Sequence, residues 1–278
     1  MPDSLMFHIV TVGSAWITFA NGSRHKLETG DFALVPQGRG HAIVDDPETR
    51  AINLFDYDRP LLSPRYELLE INGGGERTSL ICGVGSVKDP AARRMVGLLP
   101  GIIPMKAATP GNEWLRSSIQ VMMEEARSLG PGGDAVITRF SDIFVVQTIR
   151  HWFRTDPHAR TGWLGALQDP QVGHALIHRD PTQAWTVESL AAAVGVSRSG
   201  LAARFADLVG ETPMSYLRKW RFEVALNWLR DTDQSLAEIA EQLGYESEAS
   251  FSRAFKKATG RTPGSVRRES SKEDGATR

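Results

Sequence analysis

A short pattern occurs twice near the C-terminal end of this chain, and it restricts the fold more than any other feature. The first copy reads Leu190-Ala191, Gly195, Phe205, Gly210 and Thr212-Pro213; the second reads Ile239-Ala240, Gly244, Phe255, Gly260 and Thr262-Pro263. The offset is 49 residues at the first glycine (195 to 244) and 50 from the phenylalanine onward (205 to 255). A period of this length marks one supersecondary unit used twice. In the first copy Val187, Leu190, Ala191 and Val194 share a helical face. Small Ala191 admits a crossing helix, and Gly195 takes the positive φ that ends the first one. Ser197 or Ser199 caps the next helix, whose inner stripe is Leu201, Phe205 and Leu208. In the second copy Leu236, Ile239, Ala240 and Leu243 face inward, Gly244 turns, Ser247 caps, and Phe251 and Phe255 bury the second helix. Each copy is a helix, a tight turn and a helix, which is the grammar of a helix-turn-helix. The plain alternative is a helical hairpin that touches no DNA.

Composition decides where such a protein can hold nucleic acid. The chain has 278 residues, enough for about two domains, and a formal net charge of −1. It is therefore no bulk polyanion binder, and a DNA contact has to come from local charge. Arg253, Lys256, Lys257, Arg261, Arg267 and Arg268 supply it, with no acidic residue between 253 and 268. A phosphate-facing surface fits that run, and so does a solvated basic face. The single cysteine, Cys82, rules out an intrachain disulfide and fits a reducing cytoplasm. It sits in the apolar run 79–83 and reads as a small buried hydrophobe rather than a redox sensor. Met1-Pro2-Asp3 opens no signal peptide, and no apolar run reaches the length of a membrane span.

Residues 5 to 82 read as strands. Ala15 to Phe19 is rich in β formers and runs into Asn21-Gly22, a hairpin signal. Gly30-Asp31 turns into Phe32-Ala33-Leu34-Val35, which Pro36-Gln37-Gly38 breaks before His41 starts the next strand. Short strands with regular turns predict a barrel or sandwich. Residues 83–112 read as a Gly/Pro-rich connector with a short helix. Leu115, Ile119, Met122, Ala126 and Leu129 then fall on one helical stripe, and a second apolar helix runs from about Val136 to Phe153. These two helices either cover the barrel or pair with a second subunit. His174 and His178 lie one helical turn apart without an evident third ligand, and read as surface or packing residues.

The C-terminal region resembles the AraC/XylS family of bacterial transcription regulators. Trp185-Thr186-Val187, Gly195-Val196-Ser197, Gly210-Glu211-Thr212-Pro213, Gly244-Tyr245-Glu246-Ser247 and Gly260-Arg261-Thr262-Pro263 stand where that family has them. The resemblance implies two helix-turn-helix units joined by one linker helix, here about Met214 to Leu229. That helix spans ~24 Å at 1.5 Å per residue, so with its flanks it sets the two readers about one DNA turn apart. The resemblance places base-reading positions at Ser199, Gly200, Ala202 and Ala203, and at Glu248, Ala249, Ser252 and Arg253. Gly and Ala reach a thymine methyl at most, whereas Arg253 can bridge guanine O6 and N7. The second unit is thus expected to carry most sequence readout, the first to position, with Arg198, Arg204 and Lys256 on phosphates.

The N-terminal region resembles a cupin-type sensor domain. Gly30-Asp31, Pro36, Gly38, His41 and Asp45 fit the second cupin motif, with Asp45 replacing the usual Asn. Metal-binding cupins bring a Glu and a His-x-His from the first motif. Counted back from Gly13, these fall at Met6 and at or before Pro2, so no metal, no cofactor and no catalysis are expected. The barrel starts early, which leaves two alternatives: a first strand or two lying upstream, or a barrel open on one edge.

The resulting expectation is a two-domain chain, β then α. A cupin-like sensing domain takes 1–112, a helical packing or dimerisation segment 113–165, a DNA-binding domain with two helix-turn-helix units 166–268, and a disordered tail 269–278. The expected function is a cytoplasmic transcription activator that binds double-stranded DNA and answers to an unknown small molecule. His8, Trp16 and His41 are the candidate pocket residues; RNA polymerase and a second copy of the chain are the expected partners. Two alternatives remain: a cupin enzyme fused to a DNA-targeting module, and a ligand-independent regulator with a degenerate barrel.

Overall fold

The computed structural model describes residues 4–63, 65–87, 89–128, 130–173 and 182–276; His174 and His178 lie outside the described residues. The chain divides into two compact units between Thr155 and Asp156. That is earlier than the 165/166 boundary expected from sequence, because Gly162–Gln168 packs on a helix of the second unit.

In the first unit the strands are β1 (Ser4–Val12), β2 (Ser14–Phe19), β3 (Arg24–Glu28), β4 (Phe32–Val35), β5 (His41–Val44), β6 (Leu61–Ser63), β7 (Tyr66–Glu67), β8 (Ser79–Ser86) and β9 (Ile103–Met105). They form an antiparallel sheet in the order β8-β1-β4-β9, a facing sheet β3-β2-β5, and a small β6-β7 ribbon. Strand alternation gives the first sheet two different faces. Val10 and Ala33 meet Ala15, Ile17 and Leu27 of the second sheet in a buried apolar cluster. On the opposite face Phe7 stacks on Phe32 at 5.6 Å, and Phe32 on Phe144 at 5.4 Å. Phe144 belongs to α3 (Gly133–Thr155), which pairs with α2 (Glu113–Ser128); the shorter α1 (Pro90–Leu98) precedes both. Leu115, Ile119 and Met122 are buried as the stripe requires. The α2–α3 pair therefore covers the outer face of the first sheet.

Two stretches depart from the expected pattern. Between β5 and β8 the chain is largely irregular rather than strand, in keeping with its Asp45-Asp46-Pro47, Pro60 and Gly73-Gly74-Gly75 breakers. Within the expected connector, Ile103–Met105 adds an edge strand to β4, pairing Phe32 with Met105. Pro104 has no N–H to donate, which suits an edge and little else.

The Gly30-Asp31 turn is fixed by charge. Asp31 is buried, and its carboxylate accepts from the Glu28 N–H (2.9 Å), the Ala107 N–H (3.0 Å) and Lys106 Nζ (2.7 Å). Lys106 also donates to the Lys26 carbonyl at 2.7 Å. One carboxylate thus ties β3, β4 and the segment after β9 together.

The second unit is helical among the described residues: α4 (Gly162–Gln168), α5 (Val187–Ala193), α6 (Arg198–Val209), α7 (Pro213–Asp231), α8 (Leu236–Gln242), α9 (Glu248–Thr259) and α10 (Pro263–Ala276). The repeat explains itself in its caps. Gly195 and Gly244 turn at φ of 71° and 78°, and Ser197 and Ser247 then accept from the Gly200 and Ser250 amides. Gly210 and Gly260 end the next helices in the left-handed conformation. Thr212 and Thr262 cap the helices that follow, with Pro213 and Pro263 at their first turns. The linker α7 has 19 residues, about 28 Å, longer than Met214–Leu229. The last helix runs to Ala276, where a disordered tail was expected.

Replacing Asp31 by Ala leaves the Glu28 and Ala107 amides without their acceptor and leaves Lys106 the Lys26 carbonyl alone. Thermal melting of the full chain is expected to show a loss of about 2 kcal/mol, with a first-unit transition that separates from the second. An unchanged melt would mean that the turn does not depend on this carboxylate.

Candidate functional site

The linker helix belongs to both helix-turn-helix cores. Near its start Tyr216 meets Phe205 of α6 edge-on at 5.6 Å. Further along, Phe222, Ala225 and Leu229 join Ile239, Leu243, Phe251, Phe255 and Val266 in the second core. Leu190, Ala191 and Leu201 close the first, with Trp185, Val194 and Val196 around them. Each second helix of a unit, α6 and α9, is thereby fixed to the same rod.

Ser199 and Gly200 open α6 on its exposed side, Ala203 is exposed too, and Ala202 is half-buried. Side chains this short give the helix no reach into a groove. Glu248, Ala249 and Arg253 of α9 are exposed, with Ser252 half-buried. Arg253, Lys256 and Lys257 form no ion pair among the described residues and present three cations along that helix. Other members of the basic run are engaged: Arg261 with Glu269, and Arg267 with the Gln234 carbonyl.

The first unit's flanking arginines differ from each other. Arg198 meets Glu188 at 2.9 Å with both side chains well exposed, a pair that water screens and a phosphate can displace. Arg204, expected on phosphate, instead grips Asp169 through Nε at 2.8 Å and Nη2 at 2.5 Å. Burial works to raise the Asp169 carboxyl, but Arg204 and the Val172 and Gln171 amides hold it below its ordinary range. No sequence motif announces that partner.

The first unit holds a polar column inside its two sheets. His8 on β1 is cross-strand from Cys82 on β8 and points toward β5. Its Nδ1 lies 3.0 Å from Cys82 Sγ, and its Nε2 lies 2.7 Å from His41 Nε2. His41 Nδ1 is 2.8 Å from the Arg39 carbonyl. A carbonyl only accepts, so His41 carries its proton on Nδ1. With both rings neutral, His8 donates from Nε2 to His41, and the Cys82 thiol donates to His8 Nδ1. Phe19 lies against His41, ring centroids 5.7 Å apart. Burial, helped by His41, lowers the His8 pKa to about 3.

Two sequence expectations change here. His8 and His41 meet each other. Trp16 alternates with the inward Ala15 and Ile17, pairs with Lys26 and Val44, and so lies on the other face of β2. Cys82 is exposed rather than buried, yet desolvation around its sulfur raises the thiol to about 12. A cupin metal does not fit: two imidazoles bond to each other, Met6 stands in place of the carboxylate, and no group of three ligands converges among the described residues.

Residues 1–154 match the family described as Cupin, and residues 190–269 the family described as Helix-turn-helix domain. The chain is 31% identical over 275 residues to the HTH-type transcriptional regulator AlkR of Acinetobacter baylyi, covering 96% of this chain and 89% of that protein. It is 36% identical over 245 residues to an AraC-like transcription regulator of Streptomyces lividans, covering 87% and 79%. It is 29% identical over 270 residues to the RCS-specific HTH-type transcriptional activator RclR of Escherichia coli, covering 95% and 84%. No helix of the described residues is long and apolar enough to cross a membrane.

Two measurements test these sites. In selection from random duplexes, Arg253→Ala is expected to relax preference at one base position by about 1–3 kcal/mol, whereas Ser199→Ala costs less; the reverse order would reassign the reading. His8 gives a pH signature. The unfolded ring takes a proton near 6.5, the folded one only near 3. Its contribution is complete above about pH 6.5 and is lost as pH falls, by at most ~1.4 kcal/mol per unit. His8→Gln should flatten the drop in melting temperature between pH 7.5 and 5; an equal drop in the variant would refute the assignment.

Proposed function

Because this chain belongs to the AraC/XylS family of DNA-binding transcription regulators and carries an N-terminal cupin domain, we propose that it is an activator switched by a small molecule held between its two sheets. The observation that carries this is the polar column on the inner face of the first unit. Cores rarely enclose imidazoles without need, and a buried neutral His8 beside His41 offers donors and acceptors within apolar walls. A planar polar molecule that competes for those groups would break the column and change the interior's packing. Such a ligand acts on transcription only if it prefers one state of the regulator over another. Trp16 takes no part in this site.

On the DNA side, the linker helix sets both readers on one rod. A single chain would then cover roughly two successive major grooves, asymmetrically, without needing a palindrome. The unit with Arg253 reads; the unit with Gly200 and Ala203 docks. The protein does no chemistry on its ligand and works in the cytoplasm with RNA polymerase as its downstream partner. A second copy of the chain can join through the exposed apolar positions Val121, Ile143 and Val146 of α2 and α3.

Genome-wide mapping of bound DNA, followed by melting of the full chain with metabolites of the adjoining genes, tests both halves. An asymmetric site of about 20 base pairs is expected, together with a metabolite that raises the melting temperature and changes occupancy. Scattered occupancy without a shared site would defeat the DNA half. Stabilising metabolites that leave occupancy unchanged would defeat the switch.

A further inference from the structure

Asp169 stands outside both copies of the repeat, yet it is one of the most fully used side chains in the second unit. It follows α4 and its side chain is 8% exposed. One carboxylate oxygen accepts from the amides of Gln171 (3.0 Å) and Val172 (2.9 Å) and so starts the next helical turn. The other takes both Nε and Nη2 of Arg204, at 2.8 and 2.5 Å. Arg204 lies in α6, the first recognition helix. A second contact ties the same region: Trp163 of α4 donates to the Tyr216 hydroxyl at 3.4 Å, and Tyr216 packs on Phe205.

The second copy lacks this tie. Fifty residues on from Arg204 stands Ala254, which can form no ion pair. The difference follows what each helix must do. A reader with an arginine can absorb an ångström of misplacement through its flexible side chain. A reader built from Gly200, Ala202 and Ala203 cannot, because its contacts are made by short groups at van der Waals distance.

We propose that Asp169 is a positioning residue for DNA reading: through Arg204 it fixes the depth and angle at which the first recognition helix enters its groove. The inference rests on the DNA-binding reading of the family. It makes α4 a working part of the first reader, although it precedes the repeat in sequence.

The test uses the full chain and a duplex selected by the wild-type protein from a random pool. Asp169→Asn keeps an oxygen for the two amides and removes the charge that holds Arg204. Affinity is expected to fall roughly tenfold, the size of one hydrogen bond to a charged group. Hydroxyl-radical protection should weaken over the first unit's half-site and persist over the second's. The slope of affinity against salt should stay unchanged, since Arg204 neutralises no phosphate. Arg204→Met should reproduce the pattern, and Arg204→Lys should restore part of it. Equal loss over both half-sites would overturn the proposal, as would unchanged binding. Tighter binding with a steeper salt slope would also overturn it, because Asp169 would then be withholding Arg204 from phosphate. Failure of the DNA-binding reading looks different: the wild-type chain would protect no duplex, and both ideas would fall.

Discussion

One helix shared by two hydrophobic cores is the constraint on which the DNA-binding half depends. Tyr216 near its start is buried against Phe205, and Phe222, Ala225 and Leu229 lie in the second core. A flexible linker would leave two independent binders whose spacing averages over many states. A rod whose two ends are each built into a core leaves one spacing. The energetic basis is apolar burial: each fully buried aromatic stabilises by about 1.5–3 kcal/mol, and the second core encloses Phe222, Phe251 and Phe255. The geometry of DNA reading is thus a property of packing before it is a property of any base-contacting residue.

Within that frame the two units present different surfaces. Helix α9 carries exposed cations and reaches outward. Helix α6 presents small residues and is fastened from behind. A long charged side chain trades entropy for reach, whereas a bare helix trades reach for accuracy of placement. The acidic partner of Arg204 and the alanine at the equivalent position of the second copy belong to the same contrast.

Much of this was legible in the sequence because it depends on local chemistry. Gly195, Gly244, Gly210 and Gly260 all adopt the left-handed conformation that their turns demand, and Ser197 and Ser247 cap as their spacing suggests. Those devices act within four or five residues, so pattern alone finds them. What sequence missed acts at long range. Trp16 is a candidate pocket residue by sequence, but its side is set by the parity of β2 relative to Ile17. Ile103–Met105 became a strand because β4 offered a free edge. Asp169 and Arg204 lie 35 positions apart with no repeat or motif joining them.

The column from Cys82 through His8 and His41 to the Arg39 carbonyl has a direction, set at one end by an oxygen that only accepts. Its members are coupled in series, so none can turn alone. A proton arriving on His41 makes its Nε2 a donor. His8 must then accept there and donate from Nδ1, and the sulfur must change from giver to receiver. The interior of the first unit is therefore two-valued: a single added charge inverts both contacts of His8 together, while the Arg39 end keeps its direction, and intermediate arrangements leave two like groups facing each other.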